Sequence, residues 1–209
     1  MRALRARLQS VLAAAYHGAR RGTERMLHGL RRRRASARVA VIAPRSMLVV
    51  CHGNVCRSPY AAAALRRALP ATLRERVRID SAGFIGPGRG SPEVARYIAA
   101  ARGIDLDDHR SKVLTTPLVA DAALVVVMDA RQGSALREAF RVPRRRILVL
   151  GDLDPRPIED RTILDPWDRE AEVFEACYAR IDGCVAELAR LVAAGPRAMR
   201  EPLGVLAAG

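Results

Sequence analysis

From Ser46 onward the chain alternates short apolar runs with segments of helical period, and this alternation restricts its fold more than any other feature. The first run, Met47–Val50, ends at Cys51 and is followed by a loop containing glycine. Ser58–Leu69 then reads as a helix, with Ser58 near the cap and Pro59 at the early position that proline favours. A strand over Val77–Asp80 and a helix over Ser91–Arg102, stopped by Gly103, come next. Ala122–Met128 is apolar throughout, as expected of a strand buried on both faces. A helix over Ala130–Phe140 and a last strand over Arg146–Leu150 follow. The Pro- and Asp-rich loop Gly151–Trp167 leads into a long helix, Glu170–Val192. Strands separated by helices pair in parallel through crossovers that cover the sheet. The expected fold is a doubly wound α/β domain, a four-stranded parallel sheet with helices on both faces. Ligands of such sheets bind beyond the carboxyl ends of the strands, where the loop after the first strand lies.

That loop carries the chemistry. Cys51-His52-Gly53-Asn54-Val55-Cys56-Arg57 puts a cysteine at a strand's end and an arginine six positions later, against a helix start. Between them the backbone must wrap around something, and Gly53 is expected to supply the positive φ of the turn. Inward-pointing N–H groups form an anion nest, and the following helix adds its positive end. The Arg57 guanidinium offers two prongs to two phosphate oxygens. Nest, helix end and Arg57 all favour the thiolate of Cys51. Cys51 is thus set up as a nucleophile facing a bound phosphate.

The stretch Cys51–Pro59 resembles the phosphate-binding signature of the low molecular weight protein-tyrosine phosphatases, Cys-x-Gly-Asn-x-Cys-Arg-Ser-Pro, and the resemblance runs from about Ser46 to Val192. That family carries its general acid in a downstream Asp-Pro-aromatic segment, and here Asp165-Pro166-Trp167 stands in the matching place. Pro166 biases Asp165 toward extended backbone, and Trp167 offers a flat face at the pocket mouth. The resemblance implies hydrolysis of phosphotyrosine in proteins through a cysteinyl-phosphate, with no metal or organic cofactor. In that reading Cys51 is the nucleophile, Arg57 the phosphate clamp, and Asp165 the general acid and then base. His52, Gly53, Asn54, Val55, Cys56, Ser58 and Trp167 would contact phosphate or substrate. Asn54, Ser58, Ser81 and His109 would support the loop through a hydrogen-bond network, with Ser58 donating to Cys51. Asp80-Ser81-Ala82-Gly83 and Met128-Asp129 match more quietly, and Asp129 is expected near Arg57 or the acid loop.

The chain also departs from the family. Its loop 84–90 lacks the tryptophan of some relatives, leaving Phe84 or Ile85 as a pocket wall, and the tyrosines that follow the Asp-Pro pair in eukaryotic relatives are absent. Cys56 has two readings, a trap for oxidised Cys51 or simple packing. An arsenate reductase would need relay cysteines, and none lies between Cys56 and Cys177. Val55 is apolar where a hydroxyl would help hold a guanidinium, which favours phosphotyrosine over phosphoarginine. The residues name no particular substrate beyond a phosphotyrosine protein; bacterial relatives often act on tyrosine kinases of polysaccharide export, which makes such a kinase a candidate by analogy.

The net charge of +14 suggests nucleic acid until it is located. Residues 1–45 hold 12 arginines against the single acid Glu24, while the other 164 residues carry only +3. The basicity belongs to a flexible or helical extension without interleaved aromatics, so no nucleic-acid partner is expected. Leu4, Leu8, Val11 and Ala15 make a weak helical stripe with arginines around it, which would suit a membrane-surface helix or a targeting segment. An upstream start is the favoured reading, since Met47 sits where the family's domain begins, and residues 1–45 are expected to be dispensable. Residues 46–195 form the expected phosphatase domain and 196–209 a frayed tail. Four cysteines without disulfide or zinc spacing indicate a reduced, cytoplasmic protein, with Cys177 and Cys184 on the apolar stripe of the last helix.

Overall fold

Four parallel strands form the sheet: β1 (Ser46–Cys51), β2 (Arg78–Gly83), β3 (Leu124–Val127) and β4 (Ile147–Val149), in the order β2-β1-β3-β4. The computed structural model describes residues 2–195, with side chains from residue 22 onward. The expected tail and the stripe formed by Leu4, Leu8, Val11 and Ala15 lie outside the residues and side chains so described. Seven α-helices connect and flank the strands: α1 (Arg2–Ile42), α2 (Arg57–Ala68), α3 (Ala71–Arg74), α4 (Glu93–Ala101), α5 (Thr116–Asp121), α6 (Ala130–Phe140) and α7 (Ala171–Ala194). Short 3-10 turns, Arg144–Arg146 and Leu150–Leu153, bracket β4.

Side chains alternate across a strand, so one apolar run feeds two cores. Met47, Val49, Leu124 and Val126 point into a core shared with α2, α4 and α7, whose centre includes Tyr60, Phe174 and Tyr178. Leu48, Val50, Val125 and Val127 point the other way, toward Val119 of α5 and Leu136 of α6. Cys177 and Cys184 are buried in the first core, and burial pushes both thiols up to about 12. Helices α3 and α5 were not legible in the sequence because neither is long enough to show a period. Helix α5 is set instead by a local cap, with Thr115 Oγ1 accepting from Leu118 N at 3.4 Å.

The basic extension is a helix whose last turns share the first core. Ala35 and Val39 of α1 are buried there. Upstream, Arg32 pairs with Glu187 of α7 at 3.1 Å, and His28 Nε2 donates to Asp154 O at 3.0 Å. The basicity stops near residue 45, but the packing does not. No helix among the described residues is long and apolar enough to cross a membrane.

Candidate active site

Strand order reverses between β1 and β3, and the loop after β1 opens at that switch point. It floors a cavity of about 280 Å³ lined by Cys51, His52, Gly53, Val55, Cys56, Arg57, Ile85, Arg89, Asp165 and Trp167. A larger cleft of about 390 Å³ lies by Ser46 and Arg78, at the other ends of β1 and β2. It has no cysteine, and its cations are spoken for: Lys112 pairs with Asp80, Arg78 with Asp121, and Arg66 with the Ile79 carbonyl. The chemistry therefore belongs to the smaller cavity.

Cys51 is buried, with its Sγ 3.1 Å from Ser58 Oγ and accepting from Asn54 N at 3.2 Å. Asn54 Nδ2 donates to Ser58 Oγ at 2.8 Å and to Ser81 Oγ at 2.9 Å, while its Oδ1 accepts from Lys112 N at 2.8 Å. An amide nitrogen only donates, so Ser58 oxygen accepts from it, and the Ser58 proton has two acceptors in reach, Cys51 Sγ at 3.1 Å and Ala82 O at 3.5 Å. His109 Nε2 donates to Asn54 O at 2.7 Å, and burial, foremost, lowers the His109 pKa. Every polar group of Asn54 is thereby used within the network.

The positive φ of the loop falls on Asn54 (φ 51°) and not on Gly53, which is absent from the left-handed region. Asparagine tolerates that conformation better than most residues. The close neighbour of Gly53 is the tip of the Arg89 side chain: a Cβ at 53 would lie 2.6 Å from Arg89 Nη2, so a side chain there would displace that guanidinium. Gly83, at the end of β2, is held still more tightly. A Cβ at that position would come within 2.7 Å of Asn54 N and 2.8 Å of His52 O.

Arg57 opens α2 and is buried, with Nη1 donating to Ile163 O at 3.1 Å and Nη2 to Asp165 Oδ2. Its Nε is buried without a hydrogen-bond partner among the described residues. Trp167 N donates to the other Asp165 oxygen at 3.3 Å. The acid-bearing loop is held by Ile163 N donating to Met128 O at 2.9 Å, and by Arg180 of α7 donating to Thr162 O at 2.7 Å and Asp160 O at 2.6 Å. Cys56 is buried, and its pKa is pushed far up, by burial first and Cys51 second.

Two expectations resolve differently. Asp129 adjoins the acid-bearing loop through Met128, but among the described residues its side chain pairs with neither that loop nor Arg57; its Oδ1 caps α6, accepting from Gln132 N at 2.8 Å, while Gln132 Oε1 accepts from Met128 N at 2.9 Å. Of the two candidate wall residues, Ile85 lines the cavity and Phe84 packs on the second core. The sequence reading also missed Arg89. This side chain donates to Gly53 O at 3.1 Å and to Gly86 O at 3.3 Å, and its Cζ lies 5.9 Å from the Trp167 ring centroid. It thus touches all three loops around the cavity. The glycines at 86, 88 and 90 were the signal available for it, since they mark a tight loop presenting one long side chain.

The chain is similar to known proteins in sequence and in fold. The family model described as low molecular weight phosphotyrosine protein phosphatase matches residues 46–197. A relative from Ralstonia nicotianae, named "Probable low molecular weight protein-tyrosine-phosphatase EpsP", is 36% identical over 154 residues, covering 72% of this chain and 99% of its own. The tyrosine phosphatase Wzb from Escherichia coli K30, solved in complex with sulphate, superposes with a TM-score of 0.63 at 26% identity, over 70% of this chain and 97% of that one. The YwlE arginine phosphatase from Geobacillus stearothermophilus gives 0.64 at 26% identity, over 77% and 100%. On the match of its residues 46–197, the chain belongs to the low molecular weight protein-tyrosine phosphatase family, a family of phosphoric monoester hydrolases.

Proposed function

We propose that the protein hydrolyses phosphotyrosine in proteins through a cysteinyl-phosphate formed on Cys51. The observation that carries this reading is one cavity whose wall brings Cys51, Arg57 and Asp165 together behind an apolar mouth of Ile85 and Trp167. The phosphoryl group would sit over the loop 51–57, held by loop amides and the Arg57 guanidinium. The buried, unpartnered Arg57 Nε supports this, because it is a donor in want of an anionic acceptor. Phosphate would also draw Arg57 Nη2 from Asp165 and leave that carboxyl facing the leaving oxygen.

In the first step Cys51 sulfur attacks phosphorus in line, the phosphorus–oxygen bond to the ring breaks, and Asp165 gives its proton to the departing phenolate. In the second, water attacks the phosphocysteine, Asp165 takes the water's proton, and phosphate leaves with the thiolate restored. Ser58, donating to Cys51 Sγ, steadies that thiolate in both steps. Asn54, Ser81 and His109 position the loop, and His52, Gly53, Val55 and Cys56 shape the phosphate and ring site. No step calls for a metal or organic cofactor.

We place the phosphatase domain at residues 46–195, with 1–45 as an accessory helix. The favoured partner is a phosphotyrosine protein such as a bacterial tyrosine kinase of polysaccharide export. Residues 1–45 are not read as a nucleic-acid or membrane module. Free thiols at all four cysteines support a cytoplasmic setting.

A second reading, phosphoarginine hydrolysis, draws on the equally close arginine phosphatase fold. Val55 at the cavity wall speaks against it, offering no hydroxyl to a guanidinium. Turnover of matched phosphotyrosine, phosphoserine and phosphoarginine peptides decides. Phosphotyrosine should exceed both others by about 10² in kcat/KM, a difference in transition-state binding that a fitted pocket supplies. Comparable phosphoserine rates would overturn the reading, and dominance of phosphoarginine would install the second one.

A further inference from the structure

We propose that the seam between α1 and the β4 edge of the sheet is a second anion site, separate from the catalytic loop, that takes the diphosphate group of a small ligand. A cavity of about 190 Å³ opens there, lined by four guanidinium groups from four separate segments. Arg38 comes from α1, Arg137 from α6, Arg144 from the turn before β4, and Arg161 from the loop leading to Asp165. Asp152 is the one carboxylate on the wall. Four cations therefore face one anion across a small space.

The protein does not neutralise this excess. Asp152 pairs with Arg161 alone. Arg38 donates to the Ile147 carbonyl on β4, a neutral acceptor. The side chains of Arg137 and Arg144 line the cavity, are exposed, and form no hydrogen bond or ion pair among the described residues. Arg161 Nε and Asp152 Oδ1 are buried without partners, and Asp152 is only 8% exposed. Burial, opposed by Asp152 and reinforced by Arg144 and Arg161, presses the Arg38 pKa below its ordinary value. Like charges gathered in a partly desolvated cleft raise the local concentration of counter-anions.

Charge and size choose the ligand. Four guanidiniums less one carboxylate leave three positive charges, more than one phosphate monoester, with up to about two negative charges, can balance. A diphosphate carries more charge and spreads its oxygens far enough for several planar, two-pronged donors to reach. The space is smaller than that of a whole drug-sized ligand, which starts at about 300 Å³, so the cavity fits an anionic head. Arg38 lies upstream of the residues that match the family model, so α1 supplies the fourth guanidinium of the site.

The test is isothermal titration of the full chain with pyrophosphate at fixed ionic strength, beside the double variant R137A/R144A. Both arginines are exposed and unpartnered, so the variant keeps its fold and its aryl phosphate turnover. The wild type should bind one more pyrophosphate per chain than the variant, or bind it at least roughly tenfold more tightly, the scale of losing charge-assisted hydrogen bonds. ADP matching pyrophosphate would identify a nucleotide diphosphate as the source, and pyrophosphate binding alone an inorganic anion; either supports the site. The same number and affinity of pyrophosphates in wild type and variant would overturn it.

Discussion

Asn54→Ala is the substitution that most directly tests how the phosphate loop is held. The side chain donates to Ser58 and Ser81 and accepts from Lys112 N, all at 2.8–2.9 Å and all buried or half-buried. At about 0.5–1.5 kcal/mol net per bond, removing three costs about 1.5–4.5 kcal/mol. Alanine must also hold a φ of 51° that asparagine tolerates, which adds about 1 kcal/mol. The expected loss is then about 3–5 kcal/mol, a large share of the 5–15 typical of a domain. At 2–4 °C per kcal/mol, the melting temperature should fall by about 6–20 °C. The chemistry should suffer separately. Asn54 N contacts Cys51 Sγ and Asn54 Nδ2 fixes the Ser58 hydroxyl, so a loosened loop should cost about 10² in kcat/KM on an aryl phosphate. Urea melts and steady-state kinetics at 25 °C read the two effects. Asn54→Gly separates backbone from side chain: it should recover about 1 kcal/mol of stability and little of the rate. A loss below about 1 kcal/mol with normal turnover would show that these hydrogen bonds do not hold the loop.

Asp165→Ala should slow aryl phosphate hydrolysis by about 10²–10³, less for more acidic phenols, because a good leaving group needs no proton. Equal losses across a leaving-group series would make Asp165 a structural residue. Gly83→Ala puts a methyl 2.7–2.9 Å from the backbone of residues 52–54, so stability should drop by about 1–3 kcal/mol and kcat/KM fall with it; unchanged kinetics would mean the loop yields freely. His109 sets a pH dependence. Burial holds its folded pKa below the ordinary 6.5, so above 6.5 both states are neutral and stability is full. As pH falls through 6.5, the unfolded chain takes a proton that the folded one refuses, and stability declines until the folded pKa is reached. His109→Gln should flatten that slope in melts between pH 7 and 5, and an unaltered slope would rule His109 out as its source.

What the sequence shows and hides follows the range of the forces involved. The runs at 47–50 and 122–128 were legible as strands because burial on both faces leaves an uninterrupted apolar signature. The cysteine loop and Asp165-Pro166-Trp167 were legible because each is contiguous. The errors come from contacts distant in sequence. Gly53 looked like the left-handed residue, yet Asn54 takes the turn, and what lies over Gly53 is the guanidinium of Arg89, 36 positions on. Asp129 was a different failure: the Asp-x-x-Gln capping pattern stood in plain view beside a less local idea. The extension was judged by its arginines, and that average hid Ala35 and Val39, one helical turn apart and both buried on the core. Dispensability must therefore be divided. None of the described side chains of α1 lines the cavity around Cys51, so a chain beginning at Met47 should keep its kcat on a small aryl phosphate. Its stability should not survive intact, since baring the Val39 and Ala35 contacts costs about 3 kcal/mol of burial, to which the half-buried ion pair from Arg32 adds at most about 1 kcal/mol. That corresponds to about 6–12 °C in melting temperature. An unchanged melting temperature would mean that α1 merely rests on the domain, and a lost kcat would mean that it reaches the chemistry through a route its contacts do not show.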